Sequence, residues 1–307
     1  MTQNALATLG RVFDTSIVPT LQANSIGKML MPVNPDLSKK GLGVLSVETL
    51  NYVARASAVT DYEINQGLGD AVDITGKITK IPIQQDDAII KRRNWDAYIQ
   101  RGVPITADLA NDMAVNIALQ QNKLIVDGWA PNGTTYLIKG MFQVAKNTFS
   151  GSDSGTYGNM LKNAAGALGV LKGTEKVYSK GYNLVLPTFN MGELDAQIQY
   201  GVSESSLILE LLNRGFPKGT GPGQIIESTD LTSGYGYVAP VATPENQRFC
   251  DLVETQIPTN QLWYDNGNEE SGDVHVRQIG ALVPRFKHLT AAATDPCVCA
   301  ISGMGSS

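Results

Sequence analysis

The strongest periodicity in the chain follows Pro104, where Leu109, Met113 and Ile117 recur at i, i+4 and i+8 and Leu124 extends the stripe. Thr106 is placed to cap the helix, Asp108 puts a carboxylate in its first turn and Gly128 supplies a stop, so the spacing predicts a helix over 107–127. At 1.5 Å per residue it is roughly 30 Å long, enough to span a domain as a spine. Ala110, Ala114 and Ala118 form a second stripe of small side chains that permits close approach of a neighbouring element, so both faces are expected to be partly covered.

Extended patterns surround this helix. The stretches 58–64 and 78–83 are strand-like and are joined through a turn-rich connection at 65–70, which predicts a long β-hairpin. Pro82 has no N–H for a ladder, so the hairpin is expected at an edge or as a projection that needs a partner surface. Before it, 1–52 shows no sustained period and is broken by Pro19, Pro32, Pro35 and Lys39-Lys40-Gly41, the pattern of an arm lying on something else.

Beyond a Gly/Ser break at 152–158, the pattern predicts a helix over 159–173 and a strand over 182–187 ending in a proline. Asn190, with Glu193 three residues later, is expected to open a brief helix stopped at Gly201. A further helix runs from a Ser203 cap to Arg214 and Gly215. The breaker-rich 217–223 is expected to be an exposed loop. Strands are expected at 224–227, 235–239, 261–264 and 274–279, with a terminal strand at 297–301. The class is α+β, with no internal repeat.

Composition narrows what such a chain does. At 307 residues and 42% hydrophobic it has material for one large domain or two to three smaller ones. A net charge of −5 offers no broad electrostatic footprint for gripping phosphates, so sequence-specific nucleic-acid binding is not expected. The opening segment lacks a basic region followed by an apolar one, and no stretch approaches the roughly 18 to 20 apolar residues of a membrane span, so a soluble, unsecreted protein is expected. Cys250, Cys297 and Cys299 are too few for a disulfide framework and fit a reducing compartment.

The candidate chemistry is thin. Gly67-x-Gly69 is followed by Val72 where a dinucleotide fingerprint needs a third glycine, and 218–223 lacks the Gly-Lys-Ser/Thr ending of a phosphate loop. Cys297 and Cys299, with His275 or His288, do not make a paired zinc spacing; at period two they read as small hydrophobes on one face of a strand. Cys250 has no nucleophile motif near a histidine. Asp86-Asp87 and Glu269-Glu270 are adjacent carboxylates that diverge to opposite sides and read as solvated turns. Asn132-Gly133-Thr134 reads as a tight turn, and Lys91-Arg92-Arg93, the one dense basic run, as a solvated face or a contact. No catalytic residue, cofactor site or metal site is expected, and the chain is not expected to be an enzyme.

The run Arg92-Arg93-Asn94-Trp95-Asp96-Ala97-Tyr98-Ile99-Gln100-Arg101-Gly102, then the spine helix, then Asp127-Gly128 and Asn132-Gly133, resembles the central block of encapsulins and phage major capsid proteins. There, an arginine-led strand and an acidic/aromatic turn lead into a helix ending before a glycine. A second block, 182–187 followed by short helices to Gly215, is similar to the entry into that family's axial domain. Together they cover about half of the chain.

The resemblance is to the Hong Kong 97-type capsid fold. It implies an N-terminal arm at 1–54, an extended loop at 55–94, a peripheral domain at 95–180 and 260–307, and an axial domain at 181–259. It also implies a major capsid protein that assembles into hexamers and pentamers of an icosahedral shell enclosing double-stranded DNA. The partners are then neighbouring copies together with scaffold and portal proteins, and the location is the virion, assembled in the host cytoplasm. Ile78, Ile81, Ile83, Arg92, Arg93, Trp95 and Arg101 are the expected intersubunit contacts. An encapsulin shell around protein cargo is the alternative, and the proline-broken 20–40 departs from the amphipathic helix that opens most encapsulins. A hydrolase or transferase of α+β fold is the remote alternative, and it lacks convergent polar groups in the sequence.

Overall fold

A computed structural model describes residues 26–52, 74–101, 105–131, 133, 137–144, 147–173, 177–199, 201–214, 222–229, 231–265, 272–287 and 297–305. The expected strand at 58–64, the turn at 65–70, Asn132, Gly215, most of the 217–223 loop, Glu269-Glu270 and His288 lie outside the described residues, as do the side chains of Arg101, Thr106 and Asp108.

The first elements are α1 (Ile26–Leu30), β1 (Ser46–Tyr52), β2 (Ile74–Lys80), β3 (Ile83–Ile90), α2 (Arg92–Arg101), α3 (Ile105–Val126), β4 (Gly128–Trp129), β5 (Ile138–Lys139) and α4 (Met141–Val144). There follow β6 (Asn147–Ser150), α5 (Asn159–Gly173), β7 (Tyr182–Pro187), α6 (Thr188–Ala196), β8 (Ile198–Gln199), β9 (Val202–Ser203) and α7 (Glu204–Asn213). The last are β10 (Ile225–Ser228), β11 (Tyr235–Pro240), β12 (Cys250–Tyr264), β13 (Val274–Phe286) and β14 (Cys299–Ser302). The chain divides into two compact units, one of residues 1–45, 80–140 and 252–284, the other of 46–79, 141–251 and 285–307. Residues 141–180 and 285–307, expected with the spine helix, fall in the second unit, because β6, α5 and β14 build on its sheet.

In the first unit the spine helix α3 lies on a three-stranded sheet of order β12-β13-β3. The expected small-residue stripe is real: Ala110, Ala114 and Ala118 are buried with Ile117 in one cluster. Gly128 ends the helix as expected, with φ +85°, a conformation that costs glycine little. A Cβ on Gly128 would meet the Ile138 carbonyl at 2.3 Å and one on Gly140 the Gly128 nitrogen at 2.2 Å, so the two glycines let β4 and β5 close on each other.

The part of the arm at 26–45 is tied to its own unit. Gly27 packs on Ile125, with no room for a Cβ (2.7 Å to Ile125 Cδ1), and its N–H donates to Asn122 Oδ1 at 2.7 Å. The chain then extends the edge of β12, where Asn34 N–H donates to Leu252 O, Lys39 N–H to Glu254 O and Gly41 N–H to Thr255 O, each at 2.8 Å. Arg92–Arg101 is a helix, not the arginine-led strand the resemblance implied. Asp273 anchors its start by accepting the Arg92 N–H at 3.0 Å, and Arg92 pairs with Asp96 one turn on (3.0 Å).

The second unit holds a five-stranded sheet of order β10-β7-β11-β14-β6, parallel at β10/β7 and β14/β6 and antiparallel between. β7 is central enough that all six residues are buried, which explains its continuous apolar reading. The helix expected over 159–173 and the strand over 182–187 have the observed bounds. Gly166 on α5 leaves space for the Phe149 ring, which a Cβ would approach to 2.2 Å. The paired strand of the hairpin is β1, one segment earlier than expected, and β1 and β2 form a separate two-stranded sheet.

Three expectations about caps and strands are corrected here. Asn190 does not open its helix; α6 starts after Pro187, and buried Asn190 donates to Ser154 Oγ (2.7 Å) and accepts the Gly234 N–H (2.9 Å). Ser203 occupies the N-cap of α7 without a side-chain cap bond. Cys297 sits in a turn ahead of β14, so it and Cys299 do not share a strand face, although both are fully buried.

Candidate assembly surfaces

The expected contact residues separate by exposure. In β2 Ile78 is 69% exposed and at the start of β3 Ile83 is 56% exposed, large apolar surface without intrachain cover. Ile81 is half-buried and its N–H donates to Leu45 O at 3.0 Å. Arg93 is exposed, and Arg92 is half-buried against Asp96. Trp95 is only 4% exposed: it packs with Ile90, Met113, Val274 and Val276, so it is a core residue and cannot serve as an intersubunit contact without unpacking. A tryptophan in a short helix rich in polar residues reads as a surface anchor in sequence; its burial depends in part on Val274 and Val276, nearly two hundred residues away.

The outward face of the first unit's sheet carries an ordered polar ladder. Alternation along β3 turns Ile83, Asp87 and Ile89 outward, and the register sets them beside Ala281, Arg277 and His275. Arg277 pairs with Asp87 and lies over the Trp263 ring at 4.8 Å; Trp263 stacks on His275 at 5.1 Å, and His275 Nε2 contacts Asp265 at 2.5 Å. At the end of this ladder Lys91 Nζ donates to Asp273 at 2.7 Å. That bond holds the Lys91 ammonium above its ordinary range, and the Asp273 carboxyl sits below its own through Lys91 first and the Arg92 N–H second. The adjacent carboxylates Asp86 and Asp87 diverge as expected but lie within β3 and not in a solvated turn: Asp86 accepts from Asn116 at 2.9 Å while Asp87 faces Arg277.

On the same unit a cleft of about 480 Å³ opens between Pro82, Ile83 and Gln84 at the start of β3, Lys123 and Leu124 at the end of α3, and Trp129 of β4. It mixes exposed apolar surface with one cation and one buried carboxamide. Among the described residues no three metal-binding side chains converge.

In the second unit the β8–β9 hairpin turns at Gly201 (φ +75°) and holds Ile198 (65% exposed) and Val202 in the open. Behind it the polar groups are closely matched. Glu204 is fully buried and its carboxylate accepts the Gly158 N–H at 2.9 Å and the Leu161 N–H at 2.7 Å, capping α5 from another helix. Ser154 donates to Glu193 and lies 2.6 Å from Met304 O, which ties the C-terminal segment to α6. Asp251 and Arg285, both buried, form a two-point pair (2.8 and 2.5 Å), with Lys287 adding a third contact at 3.0 Å. Sequence reasoning passed over Glu204, Asp251 and Arg285, because only the tertiary fold buries them.

No family model matches the sequence, and no curated protein matches it. Solved structures do. The virus-like particle from Pyrococcus furiosus is similar over 95% of this chain and 98% of its own, with a TM-score of 0.61 at 14% identity. The capsid of the Myoviridae phage XM1 is similar over 89% of each chain (TM-score 0.60, 13% identity). The capsid of an empty GTA particle is similar over 92% of this chain and 90% of its own (TM-score 0.57, 9% identity). The chain has the Hong Kong 97-type capsid fold.

Proposed function

We propose that this chain is a major capsid protein that assembles into hexamers and pentamers of an icosahedral shell enclosing double-stranded DNA. The observation that carries this reading is a fold shared along nearly the whole of both chains with proteins solved as capsids and as a virus-like particle. Exposed Ile78 and Ile83 support it, since strands that leave aliphatic side chains in solvent gain by burying them on a neighbour, and repeated rotational contacts close into rings and shells. In this reading the unit with the spine helix is the peripheral domain, the unit with the five-stranded sheet is the axial domain apart from 46–79, which takes the place of the extended loop expected at 55–94, and Ile78, Ile81, Ile83, Arg92 and Arg93 contact neighbouring subunits. Scaffold and portal proteins are the further partners, and assembly takes place in the host cytoplasm. The net charge of −5 suits a wall that confines DNA without neutralising its phosphates.

Electron microscopy of the purified protein tests assembly: rings or closed shells are expected, and a monomer under all assembly conditions would refute the reading. The contents of particles from the native source test the rest. After external nucleic acid is digested, protected double-stranded DNA is expected; a stoichiometric enzyme and no DNA would instead make the shell a protein-cargo compartment.

A further inference from the structure

Within the first unit, one layer between the spine helix and its sheet is polar. Gln84 and Gly280 pair across β3 and β13, as do Asp86 and Gln278. Asp265 N–H bonds to Asp273 O and Pro258 lies against Gly280, a register that sets Asn260 of β12 opposite Gln278. From the helix above, Gln121 reaches the same layer: a Cβ on Gly280 would lie 3.1 Å from its Nε2. Gln121 and Gln278 are fully buried and Gln84 nearly so (7% exposed).

These carboxamides are not paired with each other. Both side-chain polar atoms of Gln121, Gln278 and Asn260, and the Oε1 of Gln84, are buried and have no hydrogen-bond partner among the described residues. A buried amide left unpaired forfeits its hydration without compensation, and native interiors rarely leave several together. The unpaired set has both characters: four carbonyl oxygens that accept and three amide nitrogens that donate. A bare cation would satisfy the oxygens and strand the nitrogens, and an anion would do the reverse. The matching ligand both donates and accepts, and it is small enough for a layer whose central side chains have no solvent exposure.

We propose that this layer is an internal hydration site in which ordered water bridges Gln121, Gln278, Asn260 and Gln84. Gln84 belongs both to the layer and to the wall of the 480 Å³ cleft, which gives water its way in. Gly280 makes the space, because any larger residue there would press on Gln121 and Pro258. The bound water fastens the C-terminal half of the spine helix to the sheet through exchangeable hydrogen bonds.

A structure of the assembled protein at a resolution that shows ordered solvent tests this directly. Solvent density within hydrogen-bond distance of at least two of these four side chains is the expected result; carboxamides bonded to one another with no solvent peak would overturn it. Thermal unfolding of Gln121→Leu, Gln278→Leu and the double variant adds an independent reading. Each single change is expected to lower the Tm by stranding the groups that share its water, and the double to lower it by less than the sum of the two losses. Additive losses would count against a shared site.

Discussion

The two ends of the spine helix rest on the same sheet and are held to it by opposite chemistry. Near its start, Met113 packs with Trp95, Ile90, Val274 and Val276 and is flanked by Leu109, Leu262 and Tyr264, a dry cluster. Two turns on, Gln121 reaches Gly280 in the layer that holds Gln278, Asn260 and Gln84. At the first end geometry is set by close packing, where any change of volume or charge is felt. At the second it is set by hydrogen bonds, which exchange partners at little cost when water is at hand. One helix thus has a fixed end and an adjustable end.

Met113→Asp strikes the fixed end hardest. It exchanges a buried thioether for a carboxylate with no cation in the cluster, at a cost of several kcal/mol. Loss of soluble, assembly-competent protein is expected in expression and sedimentation; normal particle yield would mean that this end is not packed as described. Trp95→Ala follows, with a loss of roughly 3–5 kcal/mol from lost burial and the cavity left behind. Denaturant unfolding measures it, and a loss below about 1 kcal/mol would return Trp95 to the surface.

At the adjustable end Gly280→Ala is the matching probe. Its Cβ would sit 3.1 Å from both Gln121 Nε2 and Pro258 Cγ, so a flexible amide must give way, at about 1–3 kcal/mol. A smaller loss than that of Trp95→Ala is expected by the same measurement; an equal one would erase the contrast between the ends.

The sequence made the fixed end easy to find and hid the other. Leu109, Met113 and Ile117 announce a helix because apolar side chains at that spacing share a face, and Ala110, Ala114 and Ala118 announce close packing for the same reason. Gln121 gives no such signal, since glutamine is ordinary on a solvated helix and the tertiary fold buries it against Gly280 of β13. β12 was legible only at 261–264 because Pro258 and alternating polar residues interrupt its pattern, although it runs from Cys250 to Tyr264. Among the expected assembly contacts, Ile78 and Ile83 are exposed and Trp95 is not, a distinction that turns on which strands reach each residue.

The smallest expected effect lies at the rim of the fixed end and depends on pH. Lys91 and Asp273 bond across the start of α2 at 2.7 Å, and Asp273 also accepts the Arg92 N–H at 3.0 Å. Asp273 is lowered in the folded protein, so its contribution is complete above the unfolded pKa and is lost as pH falls through the lower folded value, below about pH 4. Lys91 is raised, so its contribution is complete below the unfolded pKa and is lost as pH rises through the higher folded value, above about pH 10. The stability difference between wild type and Asp273→Asn is therefore expected to be level through neutrality and to shrink at the acid extreme. Lys91 is exposed and Asp273 only half-buried, so the difference is small and falls with added salt. Gln278 carries no titrating proton, so the difference between wild type and Gln278→Leu is expected to stay level over the same range. Denaturant unfolding of both variants across pH separates the two ends by their electrostatics; an Asp273→Asn difference that survives acidification would show that the Lys91 bond does not hold the start of α2.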